Sequence, residues 1–60
     1  MTKLERLRRE AGLTQEELAE KSGVSRGVIS RIERTSIETV LVKNLVLLAK
    51  ALSVEPWALF

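Results

Sequence analysis

The stretch SGVSRGVISRIER, residues 22–34, decides the fold. It opens with a glycine among small residues, which is typical of a turn. Ser25 then provides an N-cap for a helix that runs to about Arg34. Ile29 and Ile32 stand one turn apart and predict the buried face of this helix. Three arginines lie around the rest of its surface, and what they bind is the question that the sequence raises: Arg26, Arg31 and Arg34.

A second, shorter helix is predicted just before this turn. Thr14 and Glu17 have the spacing of a capping box, so the helix begins at Gln15 and ends at about Lys21. Two helices separated by about three residues, with a glycine between them, form a helix-turn-helix over about 14–34. This motif places its second helix in the major groove of DNA. The spacing alone leaves a second interpretation open, an ordinary helical hairpin whose arginines are simply solvated.

The N-terminal segment predicts one further helix. Thr2 and Glu5 have the spacing of another capping box, which starts this helix. Gly12 fits the left-handed residue that follows a helix end. One apolar face is predicted for it, formed by Leu4, Leu7 and Ala11.

The C-terminal part of the chain predicts two more helices. Residues 35–41 are rich in β-branched side chains without a clear period, and we expect a loop that places Ile37 or Val40 against the core. A helix follows over about 42–52, and a proline then begins a fifth helix over 56–60. The buried face predicted for the fourth helix consists of Leu45, Leu48, Ala49 and Leu52.

Length and composition limit the class of protein. A chain of 60 residues has room for one hydrophobic core, so we expect a single compact all-α domain of five helices over 1–60. The hydrophobic fraction of 45% and the charged fraction of 30% fit a globular domain. The absence of cysteine and histidine excludes a disulfide framework, a thiolate nucleophile and the usual zinc ligands. We therefore expect no enzymatic activity, no metal, no cofactor and no small-molecule substrate.

The charge of the chain is mildly basic and unevenly placed. The net charge of +2 comes from residues 1–35, which hold eight Lys or Arg and six Glu, while the remainder is balanced. The N-terminus is charged where a signal peptide needs an apolar core. The most apolar run, residues 40–52, contains two lysines and is too short for a membrane span. We expect a cytoplasmic protein with no membrane partner.

The segment LRREAGLTQEELAEKSGVSRGVISRIER, residues 7–34, closely resembles the phage-repressor, Cro and Xre-type helix-turn-helix family. GLTQEELAEKSGVS and ISRIER stand almost as that family writes them, and LAKALSVEPWALF is similar to its fourth and fifth helices. The resemblance implies a lambda-repressor-like domain that binds double-stranded DNA sequence-specifically and regulates transcription, with helix 25–34 reading the major groove. It also implies a location at a bacterial or phage nucleoid.

The resemblance implies a role for individual residues of the motif. An arginine can pair with O6 and N7 of guanine, and a helix N-terminus presents free N–H groups to a phosphate. The implied base-reading residues are Arg26, Gly27, Val28, Ser30 and Arg31. The implied phosphate contacts are Gln15, Ser25, Arg34 and Lys43.

Three positions depart from the pattern of the family. Gly27 puts no side chain at a reading position and weakens the helix by about 1 kcal/mol relative to alanine. Thr35 replaces the glycine that the family favours after the third helix. Leu41 stands where a polar N-cap is expected for the fourth. The connection between these two helices is therefore the part that the resemblance predicts least.

Two charged residues lie on otherwise apolar faces. Arg8 is four residues after Leu4, and Glu33 is four residues after Ile29, so each lies on the inner side of its helix. Opposite charges placed in this way most simply pair with one another. The resemblance agrees, because the family carries an arginine and a glutamate at these positions as a partly buried ion pair. We expect this pair to fix the first helix against the recognition helix.

The outer side of the fourth helix also carries apolar residues. Leu47 lies about 150° from the centre of the predicted buried face on ideal helical geometry. With Val46 and Trp57 it is a candidate for an exposed apolar surface, which often marks an interface. The resembled family pairs through the region around the fifth helix. We expect a two-fold homodimer that is weak in solution and firmer on DNA.

The alternative class is a protein-interaction module of the same fold. An antitoxin or a helical adaptor that does not touch DNA should present apolar or acidic residues on the outer face of the third helix. That face carries Arg26, Ser30 and Arg31 instead. Their polarity favours DNA as the partner.

Overall fold

The computed structural model describes residues 2–35 and 41–59, and in these ranges the chain is helical and has no strand. The prediction of an all-α fold with a helix-turn-helix is confirmed. The predicted packing of Ile37 or Val40 and the predicted helix end at Phe60 lie outside the described residues. The elements are α1 Lys3–Glu10, α2 Gln15–Ser22, α3 Arg26–Arg34, α4 Val42–Ala51 and a 3-10 helix Pro56–Leu59.

Side-chain hydrogen bonds fix where the two helices of the motif begin. The hydroxyl of Thr14 accepts a hydrogen bond from the N–H of Glu17 at 3.0 Å, and the Glu17 carboxylate accepts one from the N–H of Thr14 at 2.8 Å. This reciprocal pair is the predicted capping box of α2. Ser25 caps α3, because its hydroxyl accepts from the N–H of Val28 at 3.3 Å. Both starts follow from the sequence.

The turn between α2 and α3 depends on a glycine and a valine. Gly23 has a left-handed φ of 81°, a conformation that glycine adopts without strain. Its N–H donates to the carbonyl of Ala19 at 2.9 Å and so ends α2. Val24 is buried, and its N–H donates to the hydroxyl of Ser22 at 3.1 Å. These contacts determine where α3 starts relative to α2.

The hydrophobic core lies under the inner face of α3. Ile29 and Ile32 are 0% and 1% exposed, as the sequence predicts. Since this face of α3 is buried, its opposite face is the one that solvent and a ligand can reach. The other buried apolar residues come from the turn and from the remaining elements: Leu4, Leu18, Val24, Leu45, Leu48, Ala49, Ala51 and Leu59.

The end of α3 and the start of α4 depart from the family pattern in different ways. Thr35 ends α3 without a left-handed conformation, and its hydroxyl and N–H both donate to the carbonyl of Arg31, at 2.7 Å and 2.9 Å. Thr35 therefore satisfies the Arg31 carbonyl of the last turn, at the position where the resembled family favours glycine. Leu41 precedes α4 and makes no side-chain capping bond. The expected absence of a polar cap is thus visible in the structure.

Some local details differ from the prediction. Ala11 is exposed because α1 ends one residue earlier and Ala11 is its C-cap. Leu47 is half-buried and packs on the core, because both α2 and the 3-10 helix pack on α4 and widen its buried face. Glu5 pairs with Arg9 at 2.7 Å, so α1 is capped by the hydroxyl of Thr2 without a full capping box. The fifth element is a 3-10 helix of four residues rather than an α-helix.

Neither a membrane span nor a cluster of metal ligands occurs among the described residues. None of the helices in the described ranges has the length and apolarity needed to cross a membrane. Among the same residues, no three or more acidic side chains stand close enough together to hold a metal ion. The surface that remains to be explained is the basic face of α3.

Candidate nucleic-acid interface

The outer face of α3 carries a compact set of polar side chains. At about 100° per residue, it spans an arc of about 140° on the helix. Its members are exposed except for one half-buried serine: Arg26, Gly27, Ser30, Arg31 and Arg34. A single helix is about 10–12 Å across with its side chains, and the major groove of DNA is about 12 Å wide. The face therefore has the size and the positive charge that insertion into the groove requires.

The remaining predicted contact residues differ in how accessible they are. Val28 is half-buried and packs on the core, so only its edge lies on the surface. The hydroxyl of Ser25 accepts the capping bond from Val28, yet its O–H can still donate to a phosphate. A Cβ at Gly27 would meet nothing within 4 Å, so this position is open. Lys43 is exposed in the first turn of α4, outside the helix-turn-helix.

Arg26, the first residue of α3, contacts a carboxylate of α2. Its Nη1 lies 3.4 Å from Oε1 of Glu16, and the two side chains are 62% and 77% exposed. The contact joins the first turn of α2 to the first turn of α3. Because both groups are well solvated, the pair contributes little to stability. It does, however, give Arg26 a partner on the surface proposed to meet DNA.

Gln15 begins α2 at the edge of the same surface. Its Nε2 donates to Oε1 of Glu33 at 2.9 Å, so the amide is held by α3. The first N–H groups of a helix have no acceptor within the helix and point outward from its end. Gln15 is thus positioned by a side-chain contact at the place where the resemblance predicts a phosphate.

An ion pair between Arg8 and Glu33 joins α1 to α3, the helix that Gln15 also contacts. Nε of Arg8 lies 2.7 Å from Oε2 of Glu33, and Nη2 lies 3.0 Å from Oε1, which is a bidentate geometry. The third donor, Nη1, binds the carbonyl of Leu13 at 2.8 Å. The side chains of the pair are only 10% and 4% exposed. The structure therefore brings together α1, the α1–α2 connection and α3, and Gln15 joins α2 to them.

The charges of this pair are maintained by their contacts. Burial raises the pKa of Glu33, but the hydrogen bonds from Arg8 and Gln15 and the charges of Arg8 and Arg9 together lower it by more, so that the pKa lies below its ordinary value of 4.5. The hydrogen bond with Glu33 outweighs burial at Arg8 and raises the pKa of its guanidinium. Both groups are therefore charged at neutral pH. The pair is an ionic link and not a neutral hydrogen bond.

Sequence reasoning missed two contacts of the interface, Gln15 with Glu33 and Glu16 with Arg26. A signal for the second was present, because opposite charges occupy the first turns of two helices joined by a short turn. No comparable signal marked the first. The sequence predicts only a phosphate contact for Gln15, while in the structure its amide also binds Glu33 of α3.

The fold and the basic outer face of α3 define a helix-turn-helix DNA-binding domain. A family model described as helix-turn-helix matches residues 4–56. The chain belongs to this family, the Xre and Cro type of DNA-binding regulator. No curated protein and no solved structure matched the chain.

Proposed function

We propose that this protein recognises a specific sequence of double-stranded DNA and acts as a repressor-like regulator of transcription. The observation that carries the proposal is the outer face of α3, where three arginines lie opposite the buried isoleucines. A domain that fills the major groove prevents other proteins from occupying the same site, and this is sufficient for repression. Because the apolar face of α3 is buried, only the arginine face of this helix is available for contact.

The accessible residues divide into two groups by their place on the motif. Arg26 and Arg31 lie on the flanks of the outer face, each directed to different bases, and Ser30 lies between them. Arg34 is in the last turn of α3, where the helix leaves the groove beside the backbone. The other phosphate contacts are Gln15, Ser25 and Lys43. Gly27 allows close approach of the backbone, and Val28 offers its exposed edge to a thymine methyl group.

A selection from a random-duplex pool followed by a salt titration tests this function. We expect enrichment of one sequence class, bound at least about a thousandfold more tightly than random duplex. The logarithm of the affinity for random duplex should fall linearly with the logarithm of salt concentration. The slope should be about −2 per subunit from Arg34 and Lys43, and steeper to the extent that arginines of the outer face also bind phosphates there. A Lys50→Ala control, which removes an exposed cation at the far end of α4, should keep that slope. No enrichment together with no salt-dependent binding to duplex would favour the protein-interaction module.

We also propose that two copies bind DNA as a two-fold dimer. Val42 and Val46 are four residues apart on α4 and so share one face. They are 74% and 45% exposed, while Leu41 and Trp57 are 66% and 71% exposed. The 3-10 helix that carries Trp57 packs on α4, so the apolar residues belong to two adjoining elements. An isologous contact through this apolar surface would present two recognition helices to two half-sites.

Sedimentation and the stoichiometry of the DNA complex test the dimer. Val46→Glu places a charge on the apolar surface, and we expect it to weaken binding to a two-half-site duplex by at least about tenfold, since a buried unpaired charge is costly. Ala11→Glu adds the same charge at an exposed position after α1 and should have little effect. Observation of monomers alone, both free at high concentration and on DNA, would contradict the dimer.

A further inference from the structure

Glu16 is an acidic residue at the edge of the surface proposed to meet DNA. Its carboxylate is 77% exposed and lies 3.4 Å from Nη1 of Arg26, as described above. A carboxylate beside the phosphate backbone opposes binding, because the two negative charges repel. The contact is too exposed to contribute much to the stability of the fold. We therefore expect the contact between Glu16 and Arg26 to affect DNA recognition rather than the free energy of unfolding.

The geometry of the contact leaves most of the Arg26 guanidinium free. Arginine has five N–H donors in a planar fork, and the Glu16 contact engages Nη1. The edge formed by Nε and Nη2 can still bind two acceptors in one plane. In the major groove this is the arrangement presented by O6 and N7 of guanine. A guanine can thus be bound while the contact with Glu16 is kept.

A backbone phosphate would bind the Arg26 guanidinium under a different condition from a guanine. It is an anion, like the Glu16 carboxylate, and the two compete for one guanidinium. Binding of Arg26 to a backbone phosphate therefore requires it either to leave Glu16 or to bring two anions together. On random duplex, where no guanine is in the required position, Arg26 has only phosphates to bind.

We propose that Glu16 is a specificity-determining residue. It keeps Arg26 available for a base with two acceptors, and it makes the binding of Arg26 to a phosphate less favourable. The inference rests on the proposed function and adds to it a residue that lowers affinity for non-specific DNA. Glu16 acts through Arg26, so it is a positioning residue for base recognition. Its contribution is measured by discrimination, the ratio of affinities for the selected site and for random duplex.

Glu16→Gln tests the inference, because it removes the charge and keeps the size of the side chain. We expect affinity for random duplex to rise by about fivefold and affinity for the selected site to change by less than about twofold. Discrimination should therefore fall by at least about 2.5-fold. In an Arg26→Ala background the same substitution should leave discrimination unchanged, because general repulsion of phosphates affects both duplexes equally.

Glu20→Gln is the matched control. It removes the same charge from an exposed position one turn further along α2. An equal loss of discrimination in Glu20→Gln, or a loss that persists without Arg26, would overturn the inference in favour of net charge alone. Unchanged discrimination in Glu16→Gln would overturn it as well. If the wild-type protein binds no DNA, the proposed function itself fails, and the inference falls with it.

Discussion

Replacing Glu33 by glutamine is expected to lower the free energy of unfolding by about 3–5 kcal/mol. The substitution keeps the shape of the side chain, but it removes the negative charge and one of the two oxygens that accept from Arg8, so the buried guanidinium loses its counter-ion. The amide oxygen of the glutamine and the Leu13 carbonyl remain as neutral acceptors. The two side chains are 10% and 4% exposed, so water cannot replace the lost carboxylate. A chain of this size has a total stability of about 3–9 kcal/mol. The variant should therefore be largely unfolded or close to it.

Urea unfolding followed by circular dichroism measures this effect, and the chain offers a matched control. Arg6 and Glu10 form an ion pair at 4.0 Å on the exposed side of α1, with side chains 58% and 65% exposed. Glu10→Gln should change the free energy of unfolding by less than about 0.5 kcal/mol. A Glu33→Gln variant that unfolds at the same urea concentration as the wild type would show that the buried pair does not stabilise the fold.

A double variant separates the loss of the pair from the loss of packing. Arg8→Met combined with Glu33→Leu removes both charges and fills the space with apolar atoms. Replacement of a whole buried pair by apolar residues is often neutral or stabilising, whereas removal of one partner is costly. We expect the double variant to recover most of the stability lost by Glu33→Gln. If the double variant is as unstable as Glu33→Gln, the loss in the free energy of unfolding comes from altered packing and not from the unpaired charge of Arg8.

The same pair predicts how stability depends on pH. The pKa of Glu33 is lower in the folded protein than its ordinary value of 4.5. The unfolded chain therefore takes up a proton before the folded one does, and stability falls as the pH is lowered. The contribution of Glu33 is present above its ordinary pKa of 4.5 and is lost as the pH falls from there through the lower pKa of the folded protein. The difference in stability between wild type and Glu33→Gln should accordingly shrink in acid.

The elements of the fold and the buried pair could be predicted for a physical reason. Helix starts are local, since Thr14 and Ser25 cap the helices that immediately follow them. The inward position of Arg8 and Glu33 follows from the helical period alone, because each shares a face with a buried residue one turn away. Both kinds of information lie within a few residues of sequence.

The features that were missed depend on how helices pack together. The sequence predicts an exposed Leu47, because the helical period identifies the centre of a buried face but not its width. That width is set by the elements that pack on α4, which are α2 and the 3-10 helix. The partners of Gln15 and Glu16 lie 18 and 10 residues away, so the periodicity within one helix does not fix them. Their side chains are long, and only the angle between α2 and α3 decides which groups come within reach.

On α3, the helix proposed to read the bases, Arg31→Ala is expected to cost about 1–3 kcal/mol per subunit at the selected site and to relax preference at one base position. Arg31 is exposed, and it lies about 140° from Arg26 on α3, so the two cannot share one base pair. Arg31→Lys keeps the charge but loses the planar fork. It should therefore lose discrimination while keeping the salt dependence of the wild type.

Arg34→Ala should lower the affinity for DNA without changing discrimination. The contrast with Arg31→Ala shows which of the two arginines reads a base and which binds a phosphate. Arg34 is exposed in the last turn of α3, where we propose that the helix leaves the groove, so its loss should weaken specific and random duplexes alike. The salt slope should become shallower by about one unit per subunit. Binding to the selected site and to random duplex, each titrated with salt, measures both quantities. If Arg31→Ala leaves the ratio of the two affinities unchanged, Arg31 is another phosphate contact, and the sequence is read elsewhere on the domain.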